Sequence, residues 1–108
     1  MIGIDITDLK RLDPENESFL KLVLTEDERR EFDALRTPGR KREYLGGRFA
    51  AKEAIFKATG MEEWLKCSVL HDENGKPYIK DHPELAVSIS HDGGMAAAVV
   101  MVVKGEES

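Results

Sequence analysis

One cysteine, Cys67, occurs among the 108 residues. A lone thiol closes no intrachain disulfide and has no companions for a thiolate metal site, so Cys67 reads as a small core or surface residue. Long apolar runs are missing too: none approaches the roughly 20 residues of a membrane span. Met1-Ile2-Gly3 opens without the basic start and long apolar segment of a signal peptide. The expectation is a cytoplasmic protein with no membrane partner. Basic surplus is also lacking, since 16 Lys and Arg face 21 Asp and Glu, a net charge of −5. That balance argues against general nucleic-acid binding, which needs a broad basic surface. No internal repeat, low-complexity tract or linker interrupts the chain, so residues 1–108 read as a single domain whose acidic end, Gly105 to Ser108, frays.

The basic residues are not evenly spread. Residues 1–60 hold 12 Lys and Arg against 12 Asp and Glu, whereas residues 61–108 hold 4 against 9. Lys10-Arg11, Arg29-Arg30 and Arg40-Lys41-Arg42 cluster in the first part. A local patch of this kind suits an acidic partner helix or a nucleotide phosphate, while Arg29 and Arg30 read first as solvated.

The pattern of elements predicts an α+β fold. Met1 to Ile6 reads as a strand, Thr7 to Leu12 as a short helix, and Pro14 to Leu24 as another, with Phe19, Leu20, Val23 and Leu24 at helical spacing. Thr25-Glu26-Asp27-Glu28 fits a capping box that starts a helix reaching about Leu35, and Thr37-Pro38-Gly39 ends it. Lys41 to Thr59 is a proline-free run of strong helix formers stopped by Gly60. Cys67 to His71 and Pro77 to Ile79 flank Asn74-Gly75, a hairpin signal; Ala86 to Ser90 and Met95 to Val103 flank Asp92-Gly93-Gly94, a second one. Ala96-Ala97-Ala98 has little strand propensity and points to close packing against a helix or another subunit. Strands and helices do not alternate regularly, so the sheet is mainly antiparallel and packs on the long central helix.

Two features carry chemistry. In the central helix, Leu45, Phe49 and Phe56 form a narrow stripe, with Glu53 and Lys57 beside it and Ala50 and Ala54 beyond. A solvated Glu-Lys pair at i, i+4 accounts for the charges as well as a site does. In the first strand, Asp5 faces opposite to Ile4 and Ile6. Asp5 lies on a solvated face, or Thr7 and Asp8 begin a cap, or Asp5 meets Glu53. In the third arrangement two carboxylates share a partly buried place and need a proton or a cation, and hard oxygens favour Mg²⁺, which keeps positions for water and substrate phosphate.

Four motifs in order resemble the holo-acyl-carrier-protein synthases, the small phosphopantetheinyl transferases: Gly3-Ile4-Asp5-Ile6, the block from Gly47 to Ala58, Asn74-Gly75-Lys76-Pro77, and Val87-Ser88-Ile89-Ser90-His91. The resemblance runs from Ile2 to about Val103. It implies the phosphopantetheinyl transferase fold and Mg²⁺-dependent transfer of 4′-phosphopantetheine from coenzyme A to a serine of apo acyl carrier protein, releasing 3′,5′-ADP. Catalysis of this kind rests on positioning and on neutralising phosphate charge. By the same resemblance Asp5 and Glu53 are the metal ligands, Lys57 is the catalytic lysine, and His91 is catalytic or contacts the diphosphate. Arg48, Gly75, Lys76, Pro77, Ser90 and His91 are the coenzyme A positions, and Arg11 engages the acidic carrier. Members form homotrimers with sites between subunits. The chain departs from the family after Ala58, where a longer glycine-rich connection is replaced by Thr59 to Lys66. Glu62 and Glu63 there are poor neighbours for an anion, and Trp64 either stacks on a base or, the first reading, seals the core. His71 and His82 match nothing in the family and read as surface groups.

Overall fold

The computed structural model describes residues 1–103; the acidic end expected to fray lies outside the described residues. Strand β1 (Ile2–Asp8) is followed by a 3-10 turn (Leu9–Arg11), helices α1 (Glu17–Val23), α2 (Glu26–Asp33) and α3 (Pro38–Thr59), and a second 3-10 turn (Trp64–Lys66). Strands β2 (Val69–His71) and β3 (Pro77–Ile79) form one hairpin, β4 (Leu85–Asp92) and β5 (Met95–Val102) another. The main sheet is antiparallel in the order β1-β5-β4, and β2-β3 makes a separate two-stranded sheet. This is the α+β arrangement predicted, with α3 packed along the sheet.

Local chemistry explains most boundaries. The capping box is present: Thr25 Oγ1 accepts from Glu28 N, and Glu28 Oε1 accepts from Thr25 N. Gly60 takes φ 83° and closes α3, while Gly93 and Gly94, both at positive φ, form the two-residue turn between β4 and β5. Four boundaries differ from those predicted. Thr7 to Leu12 is not a helix, because β1 pairs with β5 as far as Asp8–Met95, and the Asp8 side chain then accepts from Lys10 N to start the 3-10 turn. Asn16 caps α1, so that helix begins at Glu17. The α2 helix stops at Asp33. Thr37-Pro38 opens the next helix rather than only ending α2, with Thr37 Oγ1 accepting from Arg40 N and proline in the first turn.

The buried side of α3 is its alanine side. Ala50, Ala51, Ala54, Ile55 and Ala58 pack with Ala98 and Val100 of β5 and with Val69 and Ile79 of the small hairpin. The predicted stripe divides instead: Leu45 is buried, Phe49 half-buried and Phe56 exposed. Small residues on both surfaces let helix and sheet approach closely, as the triple alanine suggested. The final strand is buried on that side only, since Met95 and Met101 are exposed. A Cβ on Gly3 would lie 2.1 Å from Ala54 O, so β1 meets α3 backbone to side-chain-free backbone. A second apolar cluster, including Leu20, Val23, Phe32, Tyr44 and Leu45, lies under α1, α2 and the first half of α3.

Candidate active site

Strand alternation places Gly3, Asp5 and Thr7 toward α3 and leaves Ile2, Ile4 and Ile6 exposed. The contact at Gly3 therefore sets Asp5 against the helix that carries Glu53 and Lys57. Lys57 Nζ lies 3.2 Å from Asp5 Oδ1 and donates to Ile4 O at 3.0 Å. Thr7 Oγ1 donates to Asp5 Oδ2 at 3.3 Å. Asp5 is thus turned toward α3, where its partner is Lys57 rather than Glu53, and the Asp8 cap that the sequence also offered is present at the 3-10 turn.

Asp5 and Glu53 line one open cleft of about 490 Å³, together with Arg11, Asp8, Phe19 and Phe49. Arg11 reaches it from the end of the 3-10 turn, not from a helix. Glu53 has no hydrogen-bond or ion-pair partner among the described residues. Two carboxylates opening on one cleft are hard oxygen donors of the number that a hard cation keeping water and phosphate ligands takes from a protein. The residues present therefore suit Mg²⁺.

A second cleft, of about 250 Å³, gathers Arg48, Gly75, Pro77 and His91, with Tyr44 and His71. Arg48 is buried: Nε donates to Val69 O at 2.9 Å, and the guanidinium lies 3.9 Å from the Tyr44 ring centre. Its terminal nitrogen approaches Glu31 and His71 at 3.4 and 3.3 Å. His91 Nδ1 lies 3.7 Å from Glu43. Gly75, at φ 83°, forms the hairpin turn, whose Asp72 carboxylate accepts from Asn74 N and Lys76 N. Lys76 is exposed, and so is Ser90, which faces the opposite side of β4 from His91. The first cleft and the second share no lining residue.

Sequence reasoning missed two groups. His71 is at the surface as expected, yet burial and the neighbouring Arg48 charge lower its pKa, and its backbone N donates to Glu31. Lys52 is the larger omission. Its ammonium is fully buried and donates to Val23 O, Glu28 Oε1 and Trp64 O at 2.8, 2.8 and 2.9 Å, one acceptor for each proton. Burial pulls its pKa down and the Glu28 carboxylate opposes this. Glu28 Oε2 accepts in turn from Val69 N at 2.6 Å, tying the capping box of α2 to the small hairpin. Trp64 packs edge-on against Phe49 with ring centres 5.2 Å apart, and its carbonyl accepts from Lys52, so the connection after α3 closes over that ammonium.

The family model of the 4′-phosphopantetheinyl transferase superfamily matches residues 1–100. The chain belongs to this superfamily. It is a transferase. A holo-[acyl-carrier-protein] synthase of Geobacillus sp. is 42% identical, with 94% of this chain and 93% of the relative aligned. The crystal structure of a holo-(acyl-carrier-protein) synthase from Bacillus anthracis in complex with CoA (3′,5′-ADP) superposes with TM-score 0.81 at 39% identity, covering 92% and 91% of the two chains. That of the Neisseria meningitidis synthase gives 0.82 at 30% identity over 95% and 97%. No helix among the described residues is long and apolar enough to cross a membrane.

Proposed function

We propose that this single domain is a holo-acyl-carrier-protein synthase that moves 4′-phosphopantetheine from coenzyme A to a serine of apo acyl carrier protein in the cytoplasm. The observation that carries the reading is the convergence of Asp5, from β1, and Glu53, from α3, on one cleft, with Lys57 bonded to Asp5. The serine oxygen attacks the phosphorus bearing pantetheine, and that phosphorus releases its bridging oxygen with the bonding electron pair on 3′,5′-ADP. Asp5 and Glu53 would hold Mg²⁺, which when bound neutralises diphosphate charge. Glu53 receives the serine proton directly or through a water molecule. Lys57 hydrogen-bonds the leaving phosphate.

Arg48, Lys76 and the Gly75-Pro77 turn hold the nucleotide end of coenzyme A, and His91 flanks its diphosphate; Ser90, on the other face of β4, is left out of that cleft. The two clefts share no lining residue on one chain, and the reading joins the first to the second cleft of a neighbouring copy, in a homotrimer with sites between subunits as the family resemblance implies. The exposed row Ile2, Ile4, Ile6 and Met101 on the outer sheet face supports such an assembly. Sedimentation at the mass of a monomer would remove that part. Arg11, exposed beside the carboxylates, contacts the acidic carrier; Arg11→Ala should raise the KM for carrier more than that for coenzyme A.

The deciding experiment is intact mass of apo acyl carrier protein after incubation with this protein, coenzyme A and Mg²⁺. A gain of one phosphopantetheine that is lost without Mg²⁺, or with Asp5→Ala or Glu53→Ala, is expected. No gain across several carriers would overturn the reading.

A further inference from the structure

Asp5 already has a cation from its own chain. Its side chain is only 16% exposed, and the Lys57 ammonium lies against Oδ1. The second contact of that ammonium, with Ile4 O, follows from the ladder. Met1 O accepts from Val102 N and Leu9 N donates to Gly94 O, so the odd-numbered residues of β1 turn their backbone groups toward β5. The carbonyl of Ile4 therefore faces the open edge of the sheet, where a backbone acceptor has no strand partner. Lys57 covers that carbonyl and neutralises a mostly buried acid with one group. Glu53, a helical turn earlier, gets no such contact.

An ammonium against Oδ1 and a divalent cation on the same carboxylate repel each other strongly at contact distance. The hydroxyl of Thr7 on Oδ2 is the only other contact of the Asp5 carboxylate among the described residues. We propose that Lys57 is the resident counter-cation of Asp5: it yields Oδ1 when a divalent ion binds, stays tethered to Ile4 O, and only then turns its freed N–H toward the substrate phosphate. The lysine is thereby withheld from the phosphate until the cation is in place. This rests on the reading that Asp5 and Glu53 take a divalent cation. The competing geometry has the ion enter through Oδ2, displacing Thr7 and leaving Lys57 where it is.

The test uses the full chain without coenzyme A. In protein carrying labelled lysine and labelled carboxyl carbons, Mg²⁺ is titrated while the Lys57 side-chain signal, assigned with Lys57→Arg, and the Asp5 and Glu53 carboxyl signals are followed by NMR. Exchange predicts that all three move and saturate together. In parallel, Mn²⁺ affinity is read by electron paramagnetic resonance in wild type, Lys57→Gln and Arg11→Gln. Loss of the competing ammonium should tighten Mn²⁺ roughly tenfold, against about twofold for Arg11→Gln, which removes a charge from the same cleft without freeing Asp5. A static Lys57 signal while both carboxyls titrate, or equal tightening in the two variants, overturns the exchange. Static carboxyl signals and no Mn²⁺ binding would instead sink the divalent-cation reading beneath it.

Discussion

Lys52 and Glu53 are consecutive on α3, yet they occupy opposite electrostatic situations. The Lys52 ammonium is enclosed and spends each of its protons on an acceptor, one of them the buried Glu28 carboxylate. The Glu53 carboxylate opens on a cleft with no partner among the described residues, and beside it Asp5 depends on a half-exposed lysine. Burying an ion costs several kcal/mol unless its remaining bonds are made, so a closed charge cluster of this kind belongs to the fold. A carboxylate left unpaired at a cleft contributes nothing evident to folding and keeps its capacity for a ligand. Under the proposed function, adjacent charges in a helix thus divide between holding the molecule together and doing its chemistry, according to the face they occupy.

The contrast can be broken from either side. Lys52→Met leaves Glu28 buried with two backbone N–H donors and no counter-charge, and should cost about 3–5 kcal/mol in chemical denaturation. Replacing both partners, Lys52→Met with Glu28→Met, should recover part of the loss. Glu53→Gln should leave stability within about 0.5 kcal/mol while lowering kcat/KM for carrier modification by about 10²–10³-fold. A stable Lys52→Met or an unfolded Glu53→Gln would erase the distinction. Gly3→Ala tests the close approach that sets Asp5 beside the helix of Glu53. Its Cβ would collide with backbone atoms of Ala54 and Ala58, so β1 must shift away from α3, with a cost of about 1–3 kcal/mol by denaturation and a loss of activity as Asp5 moves.

The smallest effect concerns His71, between the two situations: polar, partly enclosed, and bonded to Glu31 and Arg48. Burial and Arg48 depress its pKa below the ordinary 6.5. A base depressed on folding contributes stability that is present above its unfolded value and is lost as pH falls through the folded one. Wild type should therefore lose more Tm than His71→Gln between about pH 7 and about pH 5. Parallel Tm profiles would place His71 outside the cluster.

Much of the fold was legible because its signals are local. The Thr25–Glu28 capping box, the Asn74-Gly75 and Gly93-Gly94 turns, and the Gly60 stop each depend on residues within a few positions. Asp5, Glu53 and Lys57 could be grouped because each charge interrupts an apolar element, and the family resemblance gave them roles. What could not be read is what each face meets. Alternation in β1 sets Asp5 opposite the isoleucines without saying which side goes inward, and burial went to Gly3, Asp5 and Thr7 because only a glycine lets α3 come so close. The same limit hid Lys52. Glu28 announces itself as a cap, and nothing near it in sequence marks the lysine 24 positions away that completes it. For α3, a helix with apolar residues on more than one side, periodicity alone could not choose the alanine side over the phenylalanine one.

Trp64 is the sole tryptophan. Its carbonyl holds the Lys52 ammonium, and its ring meets Phe49, which lines the carboxylate cleft. The indole emission is therefore a single-site optical signal touching both halves of the charge division. Unfolding of the buried pair can be followed at one wavelength, without any attached dye, and a change on filling the cleft would have to pass through Phe49.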